Sequence, residues 1–155
     1  MLQVTNPLDA NTDQVTQLRL HNMRGNWMYA FSGENGMFFV ADSIPSLLEG
    51  LSDRGLDSQK LDLSGFDDAF FAENRLVVIP RRTSSGSVRF SARVEKVDGL
   101  IRIATVGKMP EVGTADMADW LVLVPLSNAE YSGSVAVETP KNVVSNTQRY
   151  TVHRF

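Results

Sequence analysis

The chain has no cysteine. Disulfides, thiolate metal sites, thiol nucleophiles and a lipid-anchoring cysteine are therefore excluded from its 155 residues, while the compartment stays open. Histidine is nearly as scarce, with only His21 and His153, each close to a chain end. A Ser–His–acid triad would need one of those ends to fold back beside a serine and a carboxylate. Long apolar runs are missing too. The longest, residues 120–126, falls far short of the roughly 20 residues that cross a membrane as a helix. Residues 1–20 have no basic start leading into an apolar stretch, so no signal peptide is expected within them. There is no Walker or Rossmann glycine loop and no N-x-[ST] sequon.

What is present belongs to an ordinary globular chain, 43% apolar and 21% charged, with a formal net charge of −3. The length suits one domain able to bury about 70% of its unfolded surface. The charges are segregated. Nine acidic residues between 34 and 73 face only Arg54 and Lys60. Eight basic ones between 75 and 108 face only Glu95 and Asp98, and the five charges in 109–138 are all acidic. Two readings stay open: neighbouring strands that complement each other, or a basic groove for an anionic partner.

Along the chain, residues 1–14 read as a flexible arm and 15–155 as one domain. Val15, Leu18 and Leu20 mark a weak strand. Trp27, Tyr29 and Phe31 alternate and share one strand face, with MFFVA returning as the partner after a glycine-flanked turn. DSIPSLLEGLSDRG reads as a helix: Ser43 caps it, Pro45 sits in its first turn, Ile44, Leu47, Leu48 and Leu51 form its stripe, and Gly55 stops it. Gly50 weakens that helix by up to ~1 kcal/mol. FDDAFFAEN reads as a shorter helix with Asp67 as cap, a Phe66–Phe71 staple and a left-handed end at Asn74.

The remainder is strand-like. Residues 76–80 and 120–126 are continuous apolar runs, as in central strands covered on both faces. Val88, Phe90, Ala92 and Val94 alternate with polar residues, and VDG turns 87–106 into one hairpin. SVAVE reads as an edge strand, and QRYTVHRF as either a last strand or a tail. The fold class expected is α+β, a mainly antiparallel sheet with one or two helices packed on it.

The segments FDDAFFAENRLVVI, TSSGSVRFSARVEKVDG and VGTADMADWLVLVPL, in that order, are similar to the PrcB-like domain of bacterial lipoproteins, especially those of gut clostridia and their relatives. The resemblance is best over residues 66–126 and extends to a family-like core of 37–138. It implies an extracytoplasmic protein of the cell envelope, linked to a secreted or surface protease complex. It carries no catalytic residues. A lipid anchor would need a cysteine in a segment ahead of this sequence.

Candidate chemistry concentrates in two polar connections. TSSGS, residues 83–87, reads as a structural turn in which Gly86 supplies φ > 0 and the hydroxyls bond local backbone. It also reads, less simply, as an anion cradle with Arg82 and Arg89 nearby, or as a loop carrying Ser85 as nucleophile. GTADMADW reads as a capped turn, as a Ca²⁺ pair at Asp116 and Asp119, or as an exposed recognition loop. Both loops precede strands, so they can share one end of the sheet. A binding site there would use Arg82, Ser84, Ser85, Gly86, Arg89, Thr114 and Asp116. DANTD at 9–13 only imitates an EF-hand start, since Gln14 and Leu20 occupy its glycine and final acidic positions. The basic hairpin with Arg89, Arg93 and Arg102 sits in a net-acidic chain, which argues against nucleic acid.

The expectation is thus a non-catalytic binding or adaptor domain with a protein partner and no cofactor. The alternative is a carbohydrate-binding module using the Trp27/Tyr29/Phe31 row, with a serine hydrolase at Ser85 further off.

Overall fold

The computed structural model describes residues 15–21, 38–110, 112–113, 116–144 and 147–154, with those beyond 138 described by their backbone alone. The arm at 1–14, the DANTD segment and the Trp27/Tyr29/Phe31 row lie outside the described residues. The order is β1 (Thr16–Leu20), β2 (Phe39–Ala41), α1 (Ile44–Asp53), α2 (Asp68–Glu73), β3 (Asn74–Thr83), β4 (Arg89–Val97), β5 (Leu100–Lys108), β6 (Ala118–Ser127), β7 (Ser134–Val144) and β8 (Thr147–Arg154). A short 3-10 turn, Ser58–Lys60, links the helices.

The strands form two four-stranded sheets, in orders β1-β6-β3-β2 and β4-β5-β7-β8. All pairs are antiparallel except β5–β7, which is parallel. The class is α+β, as expected.

The two apolar runs become β3 and β6, paired at the centre of the first sheet. Their side chains divide by strand parity. Val77, Ile79, Val122 and Val124 join Phe90, Ile101, Ile103 and Val135 in a core between the sheets. Leu76, Val78, Leu121 and Leu123 join Leu47, Leu51, Leu56 and Phe71 in a second core beneath the helices. Three layers follow directly from two runs with no polar face. Each strand also carries a proline, Pro80 and Pro125. Both stand past the described ends of the short edge strands, so among the described residues no edge-strand partner calls on their missing N–H.

Ser43 caps α1 in a reciprocal capping box with Ser46, and Gly55 follows the helix at φ 74°. Leu47 and Leu51 are buried, whereas Leu48, expected in the same stripe, stays exposed. Gly50 has a packing reason that the sequence hid. A Cβ there would lie 2.3 Å from the Phe39 ring, and Arg54 covers the same ring at 4.4 Å while donating to the Gly50 carbonyl. Asp67 caps α2 through the Phe70 N–H. The expected staple runs through Phe70, whose ring meets Phe66 and Phe71 edge-on, each at 5.0 Å. Asn74 is extended (φ −137°), not left-handed, because α2 passes straight into β3.

In the second sheet, Asp98 (φ 52°) and Gly99 (φ 77°) make the tight β4–β5 turn, with two positive φ values in succession. Val88, Phe90, Ala92 and Val94 are buried, and the residues between them face solvent to varying degrees. SVAVE is not an edge strand. It lies between β5 and β8, since QRYTVHRF forms a strand that covers it. Glu138 is consequently enclosed on the outer sheet face, bonded by Arg102 of β5 and approached by Arg93 of β4 at 3.7 Å.

Candidate functional site

The TSSGS turn runs from the end of β3 to the start of β4, and the 109–117 connection runs from β5 to β6. The fold sets them side by side. The Gly86 N–H donates to Asp116 Oδ1 (3.3 Å), and Arg19 Nη2 from β1 donates to Asp116 Oδ2 (2.8 Å). The carboxylate therefore ties one loop to the other and both to the edge of the first sheet.

Gly86 does not supply the positive φ expected of it; the positive-φ glycines among the described residues are Gly55, Gly99 and Gly133. Its requirement is space. A Cβ at Gly86 would stand 2.6 Å from Arg19 Nη1 and 2.7 Å from Asp116 Oδ2. The hydroxyls do bond local backbone. Thr83 Oγ1 donates to the Ser85 carbonyl (2.6 Å), and Ser85 Oγ accepts from the Ser87 N–H (3.1 Å). The Trp120 indole N–H in turn donates to Thr83 Oγ1 (3.0 Å), so the turn is anchored to the sandwich core.

These bonds use up most of the predicted polar groups. Ser85 is only 1% exposed, which denies its Oγ the open approach a nucleophile needs. His21, the one histidine whose side chain is described, lines a separate cavity of about 230 Å³ with Leu56, Asp57 and Lys60. Arg82 is paired with Asp119 through two contacts, at 2.6 and 3.3 Å. That hydrogen bond raises the Arg82 pKa above its ordinary value, opposed by desolvation on burial. Asp116 and Asp119 thus serve two different arginines and do not converge as a metal pair would. Thr114 lies outside the described residues. Ser84 and Arg89 are exposed.

Two residues that matter here went unnoticed in the sequence, Gln17 and Arg19. They alternate with Leu18 and Leu20 in TQLRL and hence share a face of β1. Arg19 also lies 5.8 Å from the Trp120 ring centroid, within cation–π range. The Gln17 amide accepts from the Phe90 N–H (2.8 Å) and donates to the Val88 carbonyl (3.1 Å). It stands in for a peptide unit of a neighbouring strand and clasps the edge of one sheet to the edge of the other. The polar alternation was the available signal, but its partners are 71 and 73 residues away.

What remains accessible is of another kind. Val112 is 88% exposed, Met117 68% and Met109 48%, all on the 109–117 connection. Met109 also lines a shallow cavity of about 340 Å³ with Ser87, Arg89, Lys108 and Pro110. Arg89 and Lys108 are directly opposed across β4 and β5, and neither has an ion-pair partner among the described residues. Elsewhere, the segregated charges resolve into complementary neighbours such as Arg82–Asp119 and Arg102–Glu138.

No family model, curated protein or solved structure matches this chain.

Proposed function

We propose that the protein is a non-catalytic adaptor domain of the bacterial cell envelope that binds another protein at the loop end of its sandwich. The observation that carries this reading is the exposure of Met109, Val112 and Met117 on one connection, whose Met109 lines a cavity with the cations Arg89 and Lys108. Exposed apolar side chains grouped with exposed cations are the makings of a protein contact, in which the apolar atoms supply affinity and the charges orientation. The polar groups that chemistry would require, Ser85 and Asp116, are instead occupied in holding the loops together.

The envelope setting and the association with a secreted or surface protease complex rest on the resemblance of residues 66–126 to the PrcB-like domain. The order of those motifs corresponds to α2, β3, the serine turn, the β4–β5 hairpin and the entry to β6.

The test is capture from an envelope fraction of the source organism by wild type, Arg89→Glu and Met117→Ser, baits of matched melting temperature. One protein retained by wild type and lost with both variants is the expected result. Equal capture by all three baits removes the loop end as the interface. Asp116→Ala is the wrong probe, because losing its carboxylate would also loosen the two loops.

A further inference from the structure

Sheet edges in soluble proteins are normally covered, bulged or too short to pair, because unpaired backbone groups template association. The two edges on the β1 and β4 side of this sandwich are joined by the Gln17 side chain, which reaches across from β1 to Val88 and Phe90. Its bond from the Phe90 N–H shows which way the β4 backbone points. Phe90 faces away from β5, so by the period of two the N–H and C=O groups of Ala92, Val94 and Lys96 also face the open edge. The Asp98–Gly99 turn agrees, since a two-residue hairpin makes Val97–Leu100 a bonded pair and leaves Lys96 pointing outward. Among the described residues no strand lies beside β4 on that side.

We infer that this edge pairs with β4 of a second copy of the chain, antiparallel about a two-fold axis at Val94. That register opposes Ala92 to Lys96 of the second copy and Val94 to its own equivalent, all with outward-pointing backbone. The intervening positions then place Arg93 opposite Glu95 of the second copy, and Glu95 opposite Arg93. These are non-hydrogen-bonded pairs, the closer kind, with Cα atoms about 4.5 Å apart.

The neighbouring registers are worse for stated reasons. An axis at Arg93 or at Glu95 sets like charges face to face, which is destabilising. An axis at Ala92 asks for the Phe90 N–H, already held by Gln17. An axis at Lys96 carries the pairing into the Asp98–Gly99 turn. Gln17 therefore limits the free edge as well as clasping the sheets, and the charges select the one register left. Such an interface is isologous, as two-fold dimers require, and joins the two second sheets into one continuous sheet. It is small, so a weak and concentration-dependent dimer is expected.

The experiment is sedimentation equilibrium of wild type, of Arg93→Glu, of Glu95→Lys and of an equimolar mixture of the two variants, with each melting temperature recorded first. Wild type should move from its 17.1 kDa protomer mass towards twice that mass as concentration rises to about 1 mM. Each variant alone opposes like charges and should stay monomeric, with dissociation at least about tenfold stronger. Mixing restores both opposite-charge pairs and should restore the dimer, an outcome that unfolding or a general loss of solubility would not produce. Because Arg93 also approaches Glu138, Arg93→Ser replaces Arg93→Glu if the latter melts early. Arg93→Ser opposes no like charges, so alone it should weaken the dimer less than Glu95→Lys does. Its mixture with Glu95→Lys restores one opposite-charge pair and should dimerise better than Glu95→Lys alone. A monomeric wild type at about 1 mM overturns the self-pairing and leaves the edge to a foreign strand. Variants that dimerise as well as wild type, or a mixture that does not dimerise, overturn it equally.

Discussion

Two ion networks in this molecule use the same side-chain chemistry in opposite surroundings. On the outer face of the second sheet, the Glu138 side chain is only 7% exposed and lies between Arg93 and Arg102. At the loop end, Asp116 meets Arg19 with side chains 48% and 35% exposed. The buried carboxylate depends on its partners, because an unpaired charge there has lost its water and gained nothing. The exposed one is solvated with or without Arg19, so its value lies in where it puts the loops. Burial, and not the number of contacts, decides which network carries stability and which carries shape.

Glu138→Gln should have the largest effect in this comparison. It preserves the side-chain shape while leaving two arginines without their shared anion. A loss of about 2–3 kcal/mol is expected, discounted from the fully buried case because both arginines are about a third exposed. Thermal unfolding should register this as a melting point lower by roughly 5–10 °C. A shift under about 2 °C would show that this carboxylate is as dispensable as a surface one.

Gln17→Ala comes next. It removes two bonds to the β4 backbone and strands the Phe90 N–H, for about 1–3 kcal/mol. Hydrogen exchange at Phe90 should accelerate well before exchange in β3 or β6 does. Uniform acceleration would mean that the clasp is not local.

Gly50→Ala tests packing against propensity. Helix propensity alone favours alanine by up to ~1 kcal/mol, whereas the Phe39 ring at 2.3 Å makes overpacking cost about 1–3 kcal/mol. Net destabilisation near 1 kcal/mol is expected in chemical denaturation, and a stabilised variant would show that Phe39 moves aside freely.

The smallest effect belongs to the exposed pair. A double-mutant cycle of Arg19→Ala and Asp116→Ala should give a coupling of about 0.2–1 kcal/mol. That coupling should fade at ~1 M salt, where screening acts within about 3 Å, while the Glu138 effect persists. Couplings of equal size and equal salt response would erase the distinction between the networks.

Much of the fold was legible in the residues because it depends on local rules. The Ser43 and Asp67 caps, the Asp98–Gly99 turn, the alternation of β4 and the doubly covered runs of β3 and β6 can all be read within a window of a few residues. The errors arose where distant segments decide. Asn74 reads locally as a helix end needing left-handed backbone, but β6 pairs with it at Ser127 and draws it straight into a strand. SVAVE looked like an edge until β8 lay beside it. The candidate site is legible in part: two polar loops that each precede a strand can share one end of a sheet, and they do meet. The arginine that bonds the Asp116 carboxylate is Arg19, however, while Arg82 bonds Asp119 and Arg89 lines the neighbouring cavity.

Composition and periodicity by themselves determined the class of fold, the positions of the helices and the two apolar strands, and the absence of thiol chemistry. Those properties come from the preferences of single residues and near neighbours, which no later event in folding can change. Tertiary structure alone decided that Gly86 is needed for space rather than backbone freedom, that Ser85 is buried, that Gln17 clasps two sheets, and that Glu138 is enclosed by two arginines. Each is a contact between segments dozens of residues apart, and the side chains carry no local record of which partner the chain will bring to them.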